Sequence, residues 1–325
     1  VIERTELGTL NICRILNGMW QVSGTHGQID PELAISEMIQ YHNAGFTTWD
    51  LADIYGPAES FIGKFSQKMD KPFESLTKFV PNPGPMSKSL VTHYIEQSMK
   101  KMNTDSLDMV QFHWWDYNNP SYLDALHHLS NLKKENKIKN IGLTNFDTQR
   151  VRTMIENGFE IVSNQVQYSI LDSRPAVEMT PYFEKHGIKI LSYGTLLGGM
   201  FSEKYLGADE PTRADLDTAS LQKYMNMIDA WGGWKLFQEL LSALNSIAKK
   251  HSSSIANVAT RFILDKPQVA GVIIGARLGI TQHRQDNLNV FDLKLDSEDL
   301  SEIKSVTDKA NDLYDIIGDC GDEYR

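Results

Sequence analysis

Gly45-Phe46-Thr47-Thr48-Trp49-Asp50-Leu51-Ala52-Asp53-Ile54-Tyr55-Gly56 sets the pattern for the whole chain. A short strand-like run, 47–50, comes after Gly45-Phe46 and breaks into a loop, with an acid at its edge and a tyrosine further on. The segment before it opens on Asp30-Pro31, a cap and a first-turn proline, and stops at Gly45, which reads as one helix. Helix, buried run and polar loop then recur. Strand-like runs are read at 12–20, 47–50, 73–79, 107–112, 138–143, 161–166, 188–192 and 269–274. They are rich in Ile, Val, Leu and Phe, and several lack alternation, as in strands buried on both faces. Val91, Ile95, Met99 and Met102 recur at helical spacing, and Pro175 after Asp172 and Ser173 predicts a further helix start. Strand-like runs with helices in most intervals predict an α/β chain, a single (β/α)8 TIM barrel spanning 1–325 as one domain. Residues 194–234 are polar and without clear period, and are read as a long loop after the seventh strand, a lid or binding loop.

Composition narrows the function classes. The 325 residues are 41% hydrophobic and 23% charged, enough for a large core without staples. Two cysteines, Cys13 and Cys320, make neither a disulfide framework nor a metal cluster, so reduced thiols and no metal site are expected. The net charge is -10 and the cations are scattered, which argues against nucleic acid as a partner. The longest apolar run, 269–276, is too short to span a bilayer, and no signal peptide is read, so no membrane partner is expected. Cytoplasm is the expected compartment. The start at Val1 keeps an organelle, after transit-peptide removal, as the alternative. Oligomeric state is not legible.

In a parallel barrel the loops after the strands form the active face. Four polar residues fall there: Asp50 after the second run, Tyr55 in the next loop, Lys78 after Ser75-Leu76-Thr77, and His113 in Gln111-Phe112-His113-Trp114. Singly, each has an ordinary explanation: a turn cap, a packed ring, a snorkelling amine, a structural histidine. Together they make a chemical unit. A phenol donates a proton poorly near neutrality, and an adjacent ammonium stabilises the phenolate. A carboxylate keeps the ammonium charged and aimed, and a neutral imidazole is expected to hydrogen-bond a substrate carbonyl. No G-x-G-x-x-G follows a strand, so a Rossmann fingerprint is absent. Gly275-Ala276-Arg277-Leu278-Gly279 feeds a helix-like segment at 281–289, an arrangement that serves as an anion site or as a plain strand–turn–helix joint.

The 45–56 stretch, with Glu59 and Ile62-Gly63, resembles the first signature of the aldo-keto reductase superfamily, and Leu76-Thr77-Lys78 and Phe112-His113-Trp114 match the rest of its tetrad. The resemblance runs from Gly18-Met19-Trp20 to Asn287. It implies an NAD(P)(H)-dependent oxidoreductase of carbonyl/alcohol pairs, with a sugar among the substrates considered. Asp50, Tyr55, Lys78 and His113 would be catalytic, with Tyr55 as the proton donor or acceptor. Trp20, Ile54, Tyr55, His113 and Trp114 would meet the substrate. Met19, Trp20, Asp50, Thr144, Asn145 and Gln165 would lie at the nicotinamide, Tyr193 would stack on it, and Gly194, Thr195, Leu196 and Gly198 would follow the pyrophosphate. Gly275, Ala276, Arg277, His283, Asp286 and Asn287 resemble the adenosine-phosphate segment, about two residues longer than in many members. Arg277 suits a phosphate fork, so NADP(H) is expected rather than NAD(H). The competing readings are a cofactor-binding subunit with little turnover and a non-redox barrel enzyme.

Overall fold

The computed structural model describes residues 1–24, 29–279 and 283–324. The chain opens with a hairpin, β1 (Arg4–Leu7) and β2 (Leu10–Cys13), turned at Gly8 with φ +60°. Eight strands then close a parallel barrel: β3 (Ile15–Gly18), β4 (Thr48–Asp50), β5 (Glu74–Phe79), β6 (Leu107–Phe112), β7 (Ile138–Thr144), β8 (Ser163–Gln167), β9 (Lys189–Tyr193) and β10 (Val269–Gly275). The first strand-like run, 12–20, thus divides into the end of the hairpin and the first barrel strand. Cys13 and Ile15 are both buried, and continuous burial hid the joint.

Around the barrel lie α1 (Pro31–Asn43), α2 (Ala58–Ser66), α3 (Lys88–Met102), α4 (Tyr122–Lys134), α5 (Thr148–Glu156) and α6 (Met179–His186). They are followed by α7 (Ala219–Trp231), α8 (Gly233–Lys250), α9 (Ile255–Leu264), α10 (Arg284–Asn289), α11 (Ser297–Thr307) and α12 (Leu313–Ile317). The Asp30 carboxylate accepts from the Glu32 and Leu33 amides, so it supplies the cap its position promised. In α3, Val91, Ile95 and Met102 are buried against the barrel, and Asn103 ends the helix at φ +53°. Pro175 opens a helix of a single 3-10 turn, Arg174–Ala176, with Ser173 before it, and α6 follows from Met179. A buried pair of Arg174 with Asp172, at 2.8 Å, holds that turn.

The long connection after β9 differs from expectation. It contains short turns at Leu197–Gly199, Glu203–Tyr205 and Arg213–Asp215, then α7, which is joined to α8 through Gly232. Leu197, Met200, Phe201, Tyr224, Ile228, Trp231 and Phe237 form a core of their own there. Its helix α7 packs on α8, on the Leu197–Gly199 turn and on α12, between polar flanks in which no period showed. The hairpin seals the opposite end of the barrel. Leu7, Leu10 and Ile12 pack on Leu16, Leu76, Met109, Leu191 and Ala270, and the Thr9 amide donates to Asn140 at 2.9 Å.

Candidate active site

All eight barrel strands run the same way, so their last residues meet at one mouth. Asp50 ends β4, Thr144 ends β7, Tyr193 ends β9 and Gly275 ends β10. Lys78 stands one residue before the end of β5 and His113 one residue past β6.

The buried charge pair is the centre. Lys78 Nζ donates to Asp50 Oδ2 at 2.7 Å and to the Leu51 carbonyl at 3.0 Å. Burial alone would lower the ammonium pKa, but Asp50 and Tyr55 outweigh it, so the lysine is raised above its ordinary value and stays charged. Its Nζ lies 4.8 Å from the Tyr55 ring centroid. The other carboxylate oxygen of Asp50 accepts from Gln111 Nε2 at 2.9 Å and Gln165 Nε2 at 2.7 Å. Asp50 is therefore saturated from three strands, as a buried carboxylate must be. Its partners fix it beneath the lysine ammonium, which it anchors. Gln111 was in view in the sequence but carried no assigned role. The signal was an amide in the otherwise apolar Met109-Val110-Gln111-Phe112.

His113 Nδ1 lies 3.1 Å from the Thr144 carbonyl. A carbonyl only accepts, so the ring proton sits on Nδ1 and a neutral ring presents Nε2 as an acceptor. In this tautomer the ring donates from Nε2 only when protonated.

The two tryptophans after His113 differ in exposure. Trp114 is fully buried, and its indole N–H donates to the Asp116 and Asn119 carbonyls at 2.8 and 2.9 Å. Trp115 is 41% exposed and stands edge-on to His113, with ring centroids 4.2 Å apart. Strand alternation continues past β6: Gln111, His113 and Trp115 share the lumen side, and Phe112 and Trp114 share the helix side. Trp20 and Ile54 are at the mouth, 43% and 51% exposed, and Trp20 meets the Tyr55 ring edge-on at 5.1 Å. Met19 is buried, with its amide on the Asp50 carbonyl, so its side chain belongs to the core.

The Aldo/keto reductase family profile matches residues 14–308. The chain belongs to the aldo/keto reductase family. An aldo-keto reductase of Bacillus subtilis is 25% identical over 328 residues, covering 94% of this chain and 92% of that one. An aryl-alcohol dehydrogenase of Pestalotiopsis microspora is 25% identical over 310 residues, covering 89% and 76%. Flagellar radial spoke protein 5 of Chlamydomonas reinhardtii is 33% identical over 179 residues, covering 50% of this chain and 34% of that longer protein. The fold is shared with the glycerol dehydrogenase of Gluconobacter oxydans, at TM-score 0.80 and 18% identity over 94% of this chain and 95% of that one. Family membership supports oxidoreduction of carbonyl/alcohol pairs with a nicotinamide cofactor.

In this aldo/keto reductase the residues expected at the cofactor lie at or near the ends of β3, β4, β7, β8, β9 and β10 and in the segments that follow. Asn145 is left-handed at φ +57°, and its Oδ1 accepts from the Tyr193 hydroxyl at 2.8 Å. Gln165 spends its Nε2 on Asp50 and on Gln111 Oε1, so what it can offer a carboxamide is its own Oε1. The Thr144 hydroxyl donates to the Gln165 carbonyl at 3.2 Å, and that of Thr195 to the Tyr168 carbonyl at 2.9 Å. Gly194 and Gly198 both have φ +66°, and a side chain on Gly194 would strike the Tyr224 hydroxyl at 2.6 Å. Leu196 is partly buried between them. At the end of β10, Gly275 is exposed, Ala276 is buried with its amide on the Gly18 carbonyl, and Arg277 and His283 are exposed. Asp286 accepts from Asn257 at 3.0 Å and so faces the start of α9, and Asn287 is buried. The helix expected from 281 is seen from Arg284, and 281 and 282 lie outside the described residues.

Away from the mouth, His251, Asp296 and Asp299 bring ligand atoms within 4.8 Å of one another. Lys250 Nζ already binds Asp296 and Asp299 there, at 2.7 and 2.9 Å. Among the described residues no helix is long and apolar enough to cross a membrane.

Proposed function

We propose that this chain is an NAD(P)(H)-dependent oxidoreductase that interconverts an aldehyde or ketone and its alcohol, with Tyr55 as the proton donor in reduction and the acceptor in oxidation. The observation that carries this is the buried Lys78 ammonium, held by Asp50 at 2.7 Å and lying 4.8 Å from the Tyr55 ring. A fixed cation beside a phenol stabilises the phenolate left after proton donation, which is where charge develops. Tyr55 stands at the mouth between Trp20 and Lys78, so a carbonyl oxygen brought to its hydroxyl is protonated there as the carbon is reduced. His113 Nε2 faces the substrate oxygen and, when the ring is protonated, donates to it, which leaves the single hydroxyl proton of the alcohol for Tyr55. A nicotinamide, when bound, supplies or takes the hydride at that carbon.

Asn145, the Gln165 oxygen and the Tyr193 ring would hold the nicotinamide end, and the open backbone of Gly198 and Gly275 offers a path for a pyrophosphate. The donor set fits such a group: amides for a carboxamide, an aromatic face for a ring, and an exposed guanidinium for phosphate. Arg277 is the reason for reading NADP(H) rather than NAD(H). Trp20, Ile54 and Trp115 give the substrate an aromatic and apolar wall. Steady-state turnover of an aldehyde panel with NADPH and NADH tests the proposal; turnover with neither would overturn it. A second reading, a cofactor-binding subunit, draws on the relative named for a flagellar radial spoke. It predicts bound cofactor without turnover.

A further inference from the structure

Asn145, read above as a holder of the nicotinamide, keeps a backbone conformation that most residues avoid. Its φ is +57°, in the left-handed region. Asparagine tolerates that region better than most side chains, but it stays there only where its surroundings over-determine it. The surroundings do so here. The Asn145 amide donates to the Gln165 carbonyl at 2.9 Å. The Asn145 carbonyl accepts from the Tyr117 hydroxyl at 3.2 Å, and the Asp147 amide donates to that same hydroxyl at 2.9 Å. One phenol oxygen thus bridges the two peptide groups that flank Phe146. The Asn145 side chain in turn accepts from the Tyr193 hydroxyl at 2.8 Å, so the ring expected to stack on the nicotinamide takes its place from Asn145.

Tyr117 comes from the loop after β6, and that loop is shaped to deliver it. The Trp114 indole N–H holds the Asp116 and Asn119 carbonyls on either side of it. The Tyr117 ring stacks on the buried Phe146 ring, with centroids 5.9 Å apart, and the Arg150 guanidinium lies 4.5 Å from its centroid. Packing therefore fixes the ring, and the hydroxyl is left to the turn. The helix behind that turn is capped independently: Asp147 Oδ1 accepts from the Arg150 amide at 2.7 Å, and the Thr148 amide donates to Asp319 at 2.6 Å.

We propose that Tyr117 is a positioning residue for the nicotinamide end of the cofactor site: its hydroxyl locks the 145–147 turn and so holds Asn145, and through it Tyr193, in place. The proposal rests on the reading of Asn145 and Tyr193 as the nicotinamide's holders. Loss of the hydroxyl leaves the Asn145 carbonyl and the Asp147 amide without that partner, while the ring, the cap of α5 and the adenosine end stay as they are.

Tyr117→Phe removes the oxygen and keeps the ring. Its Kd for NADPH, read by quenching of protein fluorescence, should rise about fivefold. Its Kd for 2′-phosphoadenosine diphosphoribose, which lacks the nicotinamide, should stay within about twofold of the wild type. NADH and ADP-ribose should show the same split. Amide hydrogen exchange at Asp147 should speed up about fivefold or more, with exchange along the barrel strands unchanged. An equal rise in Kd for the whole and the truncated nucleotide would mean general loosening and would overturn the proposal, as would an unchanged Kd for NADPH or unchanged exchange at Asp147. A wild type that binds neither dinucleotide would sink this proposal and the function above together. A wild type that binds them without turnover, and shows the split in Tyr117→Phe, would remove the oxidoreductase and keep the positioning role.

Discussion

At the scale of single residues, the Tyr55 hydroxyl is the group whose loss should cost most and disturb least. Its ring packs against Trp20, and the Lys78–Asp50 pair stands without its oxygen. Tyr55→Phe should therefore lower kcat by about 10²–10⁴ while the Kd for NADPH, read by fluorescence quenching, stays within about twofold. A large loss of cofactor affinity would show that the hydroxyl serves binding instead. The adjacent tryptophans divide the same way. Trp114→Ala should cost about 3–5 kcal/mol in denaturant unfolding, because it empties a fully buried site. Trp115→Ala should leave stability within about 1 kcal/mol and raise KM for aromatic aldehydes about tenfold. The tetrad was legible because strand ends are where a barrel exposes chemistry. The choice between Trp114 and Trp115 turned on a strand parity that runs one residue beyond the apolar run. Gln111 was not assigned, because an amide in a strand looks alike whether it packs or holds a carboxylate.

At the scale of elements, the barrel strands could be read because burial on both faces leaves nearly unbroken apolar runs. The insertion after β9 could not, because α7, which packs on α8, on the Leu197–Gly199 turn and on α12, lies between polar flanks in which no period showed. The helix start read at Pro175 is a single 3-10 turn, braced by an ion pair. Arg174 is fully buried and binds Asp172, Glu323 and the Asp319 carbonyl, tying the chain's last residues to that turn. Its pKa stays above the ordinary arginine value, since those carboxylates outweigh the burial that opposes it. Arg174→Met strands two buried carboxylates, and should cost about 3–5 kcal/mol. Limited proteolysis should then cut the released 318–324 segment early. Unchanged resistance would mean that the segment is held by other contacts.

For the whole molecule, stability should respond to pH through two acids of opposite sign. Asp53 is raised from 3.8 to about 6, by burial first, so the native state keeps a proton that the unfolded chain has released, and stability is lost as pH rises across that window. Asp296 is lowered to about 2, by Lys250 first, so its contribution is present above its ordinary 3.8 and lost as pH falls toward 2. Asp53→Asn should accordingly raise Tm by about 1–3 °C near pH 7.5 and by nothing near pH 3.5. An equal shift at both would trace the effect to packing. A wider consequence comes from the hairpin of β1 and β2, which corks the far end of the barrel. Among the described residues that end is packed shut, and the strand-end mouth faces outward. Two reactants that meet above Tyr55 then approach from the same side, and the one seated deeper is expected to bind first. Initial-rate kinetics should show a compulsory order of addition, with the reactant that lies nearer the entrance having no measurable affinity for the empty protein.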